Sequence, residues 1–156
     1  MGSHLYSGGA IAASKRVAIE RIAAGDRALF LGVGTGGEVV DACRRGAKTT
    51  CIDRSPAMLR RLQKRLDRAG CEATLICGDA LAHSAAGGYD VVAAHYFLNL
   101  FRRKEMRAAL RQAASLLRPG GTLTIADLAP LTGVNRRWVR RGLRLLPKSR
   151  LIGVQA

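Results

Sequence analysis

Aromatic residues make up only 4% of this 156-residue chain. Its core must therefore be aliphatic, drawn from the Leu, Ile, Val and Ala spread evenly along it. No apolar run approaches the roughly 18 residues that span a membrane. Nothing at the amino terminus has the order of a signal peptide, so the cytoplasm is the expected compartment. The four cysteines, Cys43, Cys51, Cys71 and Cys77, form no Cys-x-x-Cys pair and have no histidine at ligand spacing. That argues against a zinc site and a disulfide framework; no metal is expected, and the cysteines read as small buried apolar side chains in a reducing compartment. Acid is scarce as well. Eleven Asp and Glu face twenty-six Lys and Arg, a net charge of +15, and no acidic residue follows Asp127. Such an excess concentrates anionic partners, whether nucleic acid, acidic lipid or acidic substrate, and says nothing about fold.

What is present is 48% apolar and of the length of one domain. A single domain is expected over residues 5–156, with Met1-Gly2-Ser3-His4 resembling an expression-tag remnant. Five strand-like runs, Arg27 to Leu31, Lys48 to Ile52, Ala73 to Cys77, Asp90 to His95 and Thr122 to Asp127, alternate with helical patterns. Alternation of this kind calls for a parallel sheet wrapped by helices. A leading helix is expected over Ile11 to Ala24, closed by Gly25-Asp26. Ser55-Pro56 starts another, with Ser as cap and Pro at the first helical position; Leu59, Leu62, Leu66 and Ala69 share its face and Gly70 stops it. Arg102 to Leu117 places Met106, Leu110, Ala113 and Leu117 on one side, and Arg118-Pro119-Gly120-Gly121 turns into the fifth strand.

Three strand ends carry polar or glycine-rich signals. Leu29-Phe30-Leu31 runs straight into Gly32-Val33-Gly34-Thr35-Gly36-Gly37, which brings bare backbone against a nucleotide-like ligand. Asp53 stands about 20 residues further on at the tip of the second strand, where a carboxylate accepts hydrogen bonds from two ribose hydroxyls. Cys77-Gly78-Asp79-Ala80-Leu81 follows the third strand, and a carboxylate there can accept from the exocyclic amine of adenine. Alone, the glycine loop is a common turn. Joined by two carboxylates at strand tips, it marks a crevice at the carboxyl edge of an open sheet.

In this arrangement the chain resembles the class I S-adenosylmethionine-dependent methyltransferases from about Val17 to Asp127. Leu31 to Gly36 is similar to their first motif, Cys51-Ile52-Asp53-Arg54-Ser55-Pro56-Ala57-Met58-Leu59 to their ribose motif, and Cys77-Gly78-Asp79-Ala80 to their adenine motif. Tyr89-Asp90-Val91-Val92 and Leu117 to Gly121 resemble the fourth strand and the loop before the fifth. An NAD-binding protein would instead show Gly-x-Gly-x-x-Gly.

The resemblance implies an α/β fold, a Rossmann-like three-layer sandwich around a mostly parallel sheet. It implies S-adenosylmethionine as cofactor and S-adenosylhomocysteine as product. Gly32, Val33, Gly34 and Gly36 would line the methionine and ribose part, Asp53 and Arg54 the ribose edge, and Met58 would pack nearby. Gly78, Asp79 and Ala80 would frame the adenine, while Ala94 and His95 would face the methionine moiety and the acceptor. Tyr6-Ser7-Gly8-Gly9 and Lys15-Arg16 resemble the lead-in of the quinone and phospholipid branch, which folds over the cofactor.

Two departures stand out. Many members of the family carry an acidic residue two positions before the first glycine, where it helps bind the cofactor's ammonium; here it is Phe30, so backbone carbonyls or water must serve, or affinity falls. The family sheet ends in an antiparallel hairpin, yet after Asp127 the only strand candidate is Leu151-Ile152-Gly153-Val154. Either the chain is shortened or a second copy, as in a homodimer, covers the exposed edge.

Methyl transfer from a sulfonium is an in-line displacement with a neutral leaving group, so alignment in a dry pocket matters most. For a hydroxyl or protonated amine acceptor a base helps, and His95 is the only histidine that the fold places at a strand tip; the alternative is a wall residue. His83 lies in a polar loop and reads as solvated, and Tyr96 and Asn99 either orient a substrate or cap the next helix. Ala94-His95-Tyr96-Phe97 lacks the Pro-Pro-Tyr pattern of enzymes that methylate base amines. The tail from Asn135 to Lys148 mixes basic residues with Trp138, Val139 and leucines, a composition that suits an anionic membrane surface or a lid. The first expectation is thus methyl transfer to a small or amphiphilic acceptor, lipid or quinone-like. An RNA methyltransferase with steeply salt-dependent binding and a non-catalytic cofactor-binding module are the alternatives.

Overall fold

A computed structural model describes residues 16, 19–85, 88–127 and 150–155 of the chain. Its first strand, β1 (Arg27–Leu31), is followed by α1 (Gly37–Arg44), β2 (Lys48–Asp53), α2 (Pro56–Ala69), β3 (Ala73–Cys77) and β4 (Tyr89–His95). A single 3-10 turn at Leu98–Leu100 then leads to α3 (Arg103–Ser115), β5 (Leu117–Asp127) and, further along, β6 (Arg150–Gln155). The six strands form one sheet in the order β3-β2-β1-β4-β5-β6, and every neighbouring pair is parallel. The strand order reverses between β1 and β4, so a crevice opens there at the carboxyl edge.

Both faces of the sheet are covered, which is why its central strands read as continuous apolar runs. Phe30, Cys51, Val91 and Ala93 face α1 and α2, meeting Val39, Val40, Leu59, Leu62 and Leu66. Alternate residues Leu29, Leu31, Val92 and Ala94 face α3 and meet Ala109, Ala113 and Leu116. The result is three layers built on strand periodicity.

The start of α2 follows its sequence signals. The Ser55 hydroxyl accepts from the Met58 amide at 3.3 Å, Pro56 occupies the first turn, and Gly70 ends the helix in the left-handed region at φ +63°. Leu59, Leu62 and Leu66 are its buried face, and each contributes about 1.5–3 kcal/mol by leaving water.

Several expectations are corrected. Helix α3 stops at Ser115, and Leu117 to Gly121 belongs to β5 rather than to a helix end and turn. The pairing runs from Tyr89↔Leu117 directly to Val91↔Thr122, so three extra residues bulge out of β5. Gly88 makes room for this: a Cβ there would lie 2.5 Å from the Arg118 nitrogen. The last described strand, β6, contains Leu151 to Val154 but runs parallel to β5, so among the described residues no antiparallel strand is present. Of the expected leading helix, Arg16 and Ile19 are helical and the chain turns at Glu20, short of Ala24. Only Cys51 of the four cysteines is buried; Cys43 and Cys71 are half-buried and Cys77 is exposed, because it ends the edge strand β3. His83 is also half-buried, bonded to the Tyr89 hydroxyl at 3.1 Å. The helix start at Arg103 uses the Glu105 carboxylate, which accepts from the Arg102 amide at 3.1 Å. The Tyr6 to Gly9 lead-in and the Asn135 to Lys148 tail lie outside the described residues. No described helix is long and apolar enough to cross a membrane.

Candidate functional site

At the tip of β1 the chain enters a turn in which Gly32, Gly34 and Gly36 all have positive φ, +84°, +52° and +76°. At Gly36 space is limiting too, since a Cβ would come within 3.0 Å of Leu62 Cδ1. The turn is tied to the sheet by the Gly32 amide, which donates to the Ile52 carbonyl at 2.8 Å. It is tied a second time by Asp53: Oδ2 accepts from the Val33 amide at 2.8 Å and Oδ1 from the Ser55 amide at 2.7 Å. One half-buried carboxylate therefore braces both the glycine turn and the start of α2. The Gly78 amide adds a third tie, donating to the Asp53 carbonyl at 3.0 Å. Three strand tips that are far apart in sequence are joined around one point.

Asp79 stands beyond β3. Its carboxylate accepts from the Leu81 amide at 2.9 Å and forms an ion pair with the Arg54 guanidinium. These two contacts, the Leu81 amide first, hold its carboxyl below the usual carboxylate range. Both side chains remain open to solvent, so the pair is weak and exchangeable. Ala80 is buried beside it, and Met58 is half-buried against the core under α2.

Between β1 and β4 lies a pit lined by Phe30, Leu31, Gly32, Val33, Gly34, Glu38, Val39, Ala93 and His95. His95 is only 4% exposed, and Glu38, from the first turn of α1, is 12% exposed. A carboxylate only accepts, so Nδ1 of His95 donates to Glu38 Oε2, while Nε2 lies 3.0 Å from the Thr124 hydroxyl on β5. Both ring nitrogens are thus engaged inside the protein. Ala94 is fully buried and faces α3, away from the pit, so its expected place beside a ligand is not seen. Tyr96, next along the chain, has φ +55°, the only positive φ among described non-glycine residues, and its amide donates to the Ala126 carbonyl at 2.7 Å. Phe97 then folds over the turn, its Cδ2 3.8 Å from where a Cβ of Gly32 would stand.

The structure brings together Gly32, Val33, Gly34, Gly36, Asp53, Arg54, Gly78, Asp79 and His95 at one edge of the sheet. The sequence reading missed Glu38 and Thr124. Glu38 had one signal, an acidic residue in the first turn of the helix after the glycines. Thr124 had only its place as a polar residue, 1% exposed, in an interior strand.

A methyltransferase-domain family matches residues 28–121 of the chain. A demethylmenaquinone methyltransferase from Corynebacterium urealyticum is 34% identical over 110 residues, which is 69% of this chain and 44% of that protein. Among solved structures, the [4+2]-cyclase SpnF superposes with a TM-score of 0.71 at 21% identity, covering 85% of this chain and 54% of that one. CalS10, an amino pentose methyltransferase from Micromonospora echinaspora with bound S-adenosylmethionine, gives a TM-score of 0.60 at 27% identity over 77% of this chain and 50% of its own. The chain spans about half the length of these relatives, or less.

Proposed function

The chain belongs to the methyltransferase-domain family, and from that premise we propose that it binds S-adenosylmethionine at the carboxyl edge of β1 to β4 and transfers its methyl group to a small acceptor. The residues fit that cofactor. A carboxylate offers about four lone-pair positions; amides take two on Asp53, and two remain for a pair of ribose hydroxyls. The bare turn of Gly32 and Gly34 admits a ligand close to the backbone, and Asp79 with Arg54 frames the outer end.

When bound, the cofactor supplies a methyl group on a sulfonium whose departure leaves a neutral thioether. The protein's task is then alignment and exclusion of water. Asp53 sets the position along the edge, since it is rigidly joined to the turn. Phe97 roofs the turn, and the Glu38–His95–Thr124 chain fixes the wall of the pit. Held at both nitrogens, His95 serves as a positioning residue rather than as a free base. A quinone-like acceptor is supported by the demethylmenaquinone relative, and a basic surface favours its encounter at an anionic membrane.

The observation that carries this reading is the Asp53 carboxylate bonded to the amide inside the glycine turn. Calorimetry with S-adenosylhomocysteine tests it: binding by the native protein, weakened at least about tenfold in Asp53→Ala, is expected, a loss of about 1.4 kcal/mol. Equal binding by the two proteins would overturn the site. Transfer of labelled methyl to a demethylated naphthoquinol in anionic vesicles, with RNA as the competing acceptor, then identifies the acceptor class; labelling of neither would leave cofactor binding without transfer.

A further inference from the structure

Between α1 and α2 lies a groove of about 290 Å³ that shares no residue with the pit at the carboxyl edge. Three arginines line it, Arg44 from α1 and Arg65 and Arg68 from α2, all exposed. Asp41 is the one carboxylate on its wall, so the groove keeps an excess of positive charge. Val40 and Ala69 give the rest of the lining an apolar character, against which the arginine stems can lie. Other arginines of the chain have work inside the protein: Arg45 donates to the Ile22 carbonyl at 3.0 Å, Arg54 pairs with Asp79, and Arg118 pairs with Asp90. Among the described residues, no carboxylate pairs with the three guanidiniums of the groove and none of them donates a hydrogen bond.

A cation suits the last turn of a helix, which accounts for Arg44 and Arg68 taken singly. It does not account for Arg65, nor for the convergence of all three. Like charges one turn apart on a helix repel, and α2 sets Arg65 beside both Arg61 and Arg68. Its single acid, Asp67, offers no relief to them, since it accepts from Gln63 at 2.8 Å. An anion in the groove would remove that repulsion.

We propose that the groove between α1 and α2 is a second ligand site, one that takes a phosphate group between Arg44, Arg65 and Arg68. Planar guanidiniums present paired donors that match phosphate oxygens, which gives the site its chemistry. The stem of Arg65 also reaches the glycine turn, its Cδ lying 3.7 Å from where a Cβ of Gly36 would stand. A filled groove therefore steadies the back of that turn. Nucleic acid fits less well: α1 and α2 carry no aromatic residue on which an unpaired base could stack. The inference does not depend on what binds at the carboxyl edge.

Two probes test it, inorganic pyrophosphate by calorimetry and phosphatidylglycerol vesicles by co-sedimentation. Arg44→Gln and Arg68→Gln, each folded by circular dichroism, are compared with Arg111→Gln, which removes the same charge from exposed α3 on the other face of the sheet. Each groove variant should weaken binding about fivefold, and Arg111→Gln less than about twofold. A loss confined to pyrophosphate assigns a soluble phosphate ester to the groove, whereas a loss on vesicles assigns a lipid headgroup. An equal loss in Arg111→Gln overturns the proposal, because net charge alone would then explain the binding. So does unchanged binding of both probes by both groove variants. An RNA hairpin held through Arg44 and Arg68 more tightly than either probe also overturns it.

Discussion

Replacing Asp53 by Asn leaves the side chain's size almost unchanged and removes its charge. In the native protein two backbone amides, those of Val33 and Ser55, donate to its two oxygens at 2.8 and 2.7 Å. An asparagine has one oxygen, so one of these amides must face an NH2 group. A hydrogen bond to a charged group is worth about 1.5–3 kcal/mol, and the variant should lose roughly 2 kcal/mol of stability. In a chain of this size each kcal/mol moves the melting temperature about 2–4 °C, so a drop of about 4–8 °C is expected. The ligand effect adds to this. Saturating a native site at 100 times its Kd raises stability by about 2.7 kcal/mol, and the variant, short of a ribose acceptor, should gain much less from the same S-adenosylhomocysteine concentration. Thermal melts by circular dichroism, with and without ligand, read both quantities. An Asn variant that melts within about a degree of native and gains the same increment from ligand would show that Asp53 neither braces the turn nor meets the ligand.

Gly36→Ala should cost about 1–2 kcal/mol from its left-handed backbone, with further crowding against Leu62; a lower melting temperature together with weaker S-adenosylhomocysteine binding is expected. Leu66→Ala, at a side chain with no exposure, should cost about 2–5 kcal/mol in a urea melt with little effect on ligand affinity in the folded protein. Asp90 is held below the ordinary carboxylate range by the Arg27 amide first and then by Arg118. Its contribution is therefore fully present above about pH 4 and lost as pH falls through the depressed folded value. Asp90→Asn should be less stable than native at pH 7, and denaturant midpoints of the two proteins should converge as the solution is acidified; a constant gap down to strongly acidic pH would contradict this.

The strands and α2 were legible because local rules and tertiary demands agree there: β1 and β3 have the expected bounds, and the Ser55-Pro56 start and Gly70 stop of α2 stand where their chemistry puts them. The stretch from Leu117 to Gly121 misled because Pro and Gly are turn residues, and here a bulge uses them inside a strand. Leu151 to Val154 was visible as a strand, but its direction depends on pairing with β5, which no local pattern encodes. The glycine turn, Asp53 and Asp79 were readable from spacing. Glu38 was not, because its partner His95 lies 57 positions away, and only the sheet brings helix and strand tip together.

Tyr96 costs the fold something simply by its backbone, about 1 kcal/mol for a side chain held in the left-handed region. The bond from its amide to Ala126 retains it there. Because the peptide that follows carries Phe97 over Gly32, the mouth of the cleft is hung from a sprung residue rather than a relaxed one. Glycine at this position would release the spring at no steric cost, and the roof would then be free to swing, trading a defined entrance for a loose one.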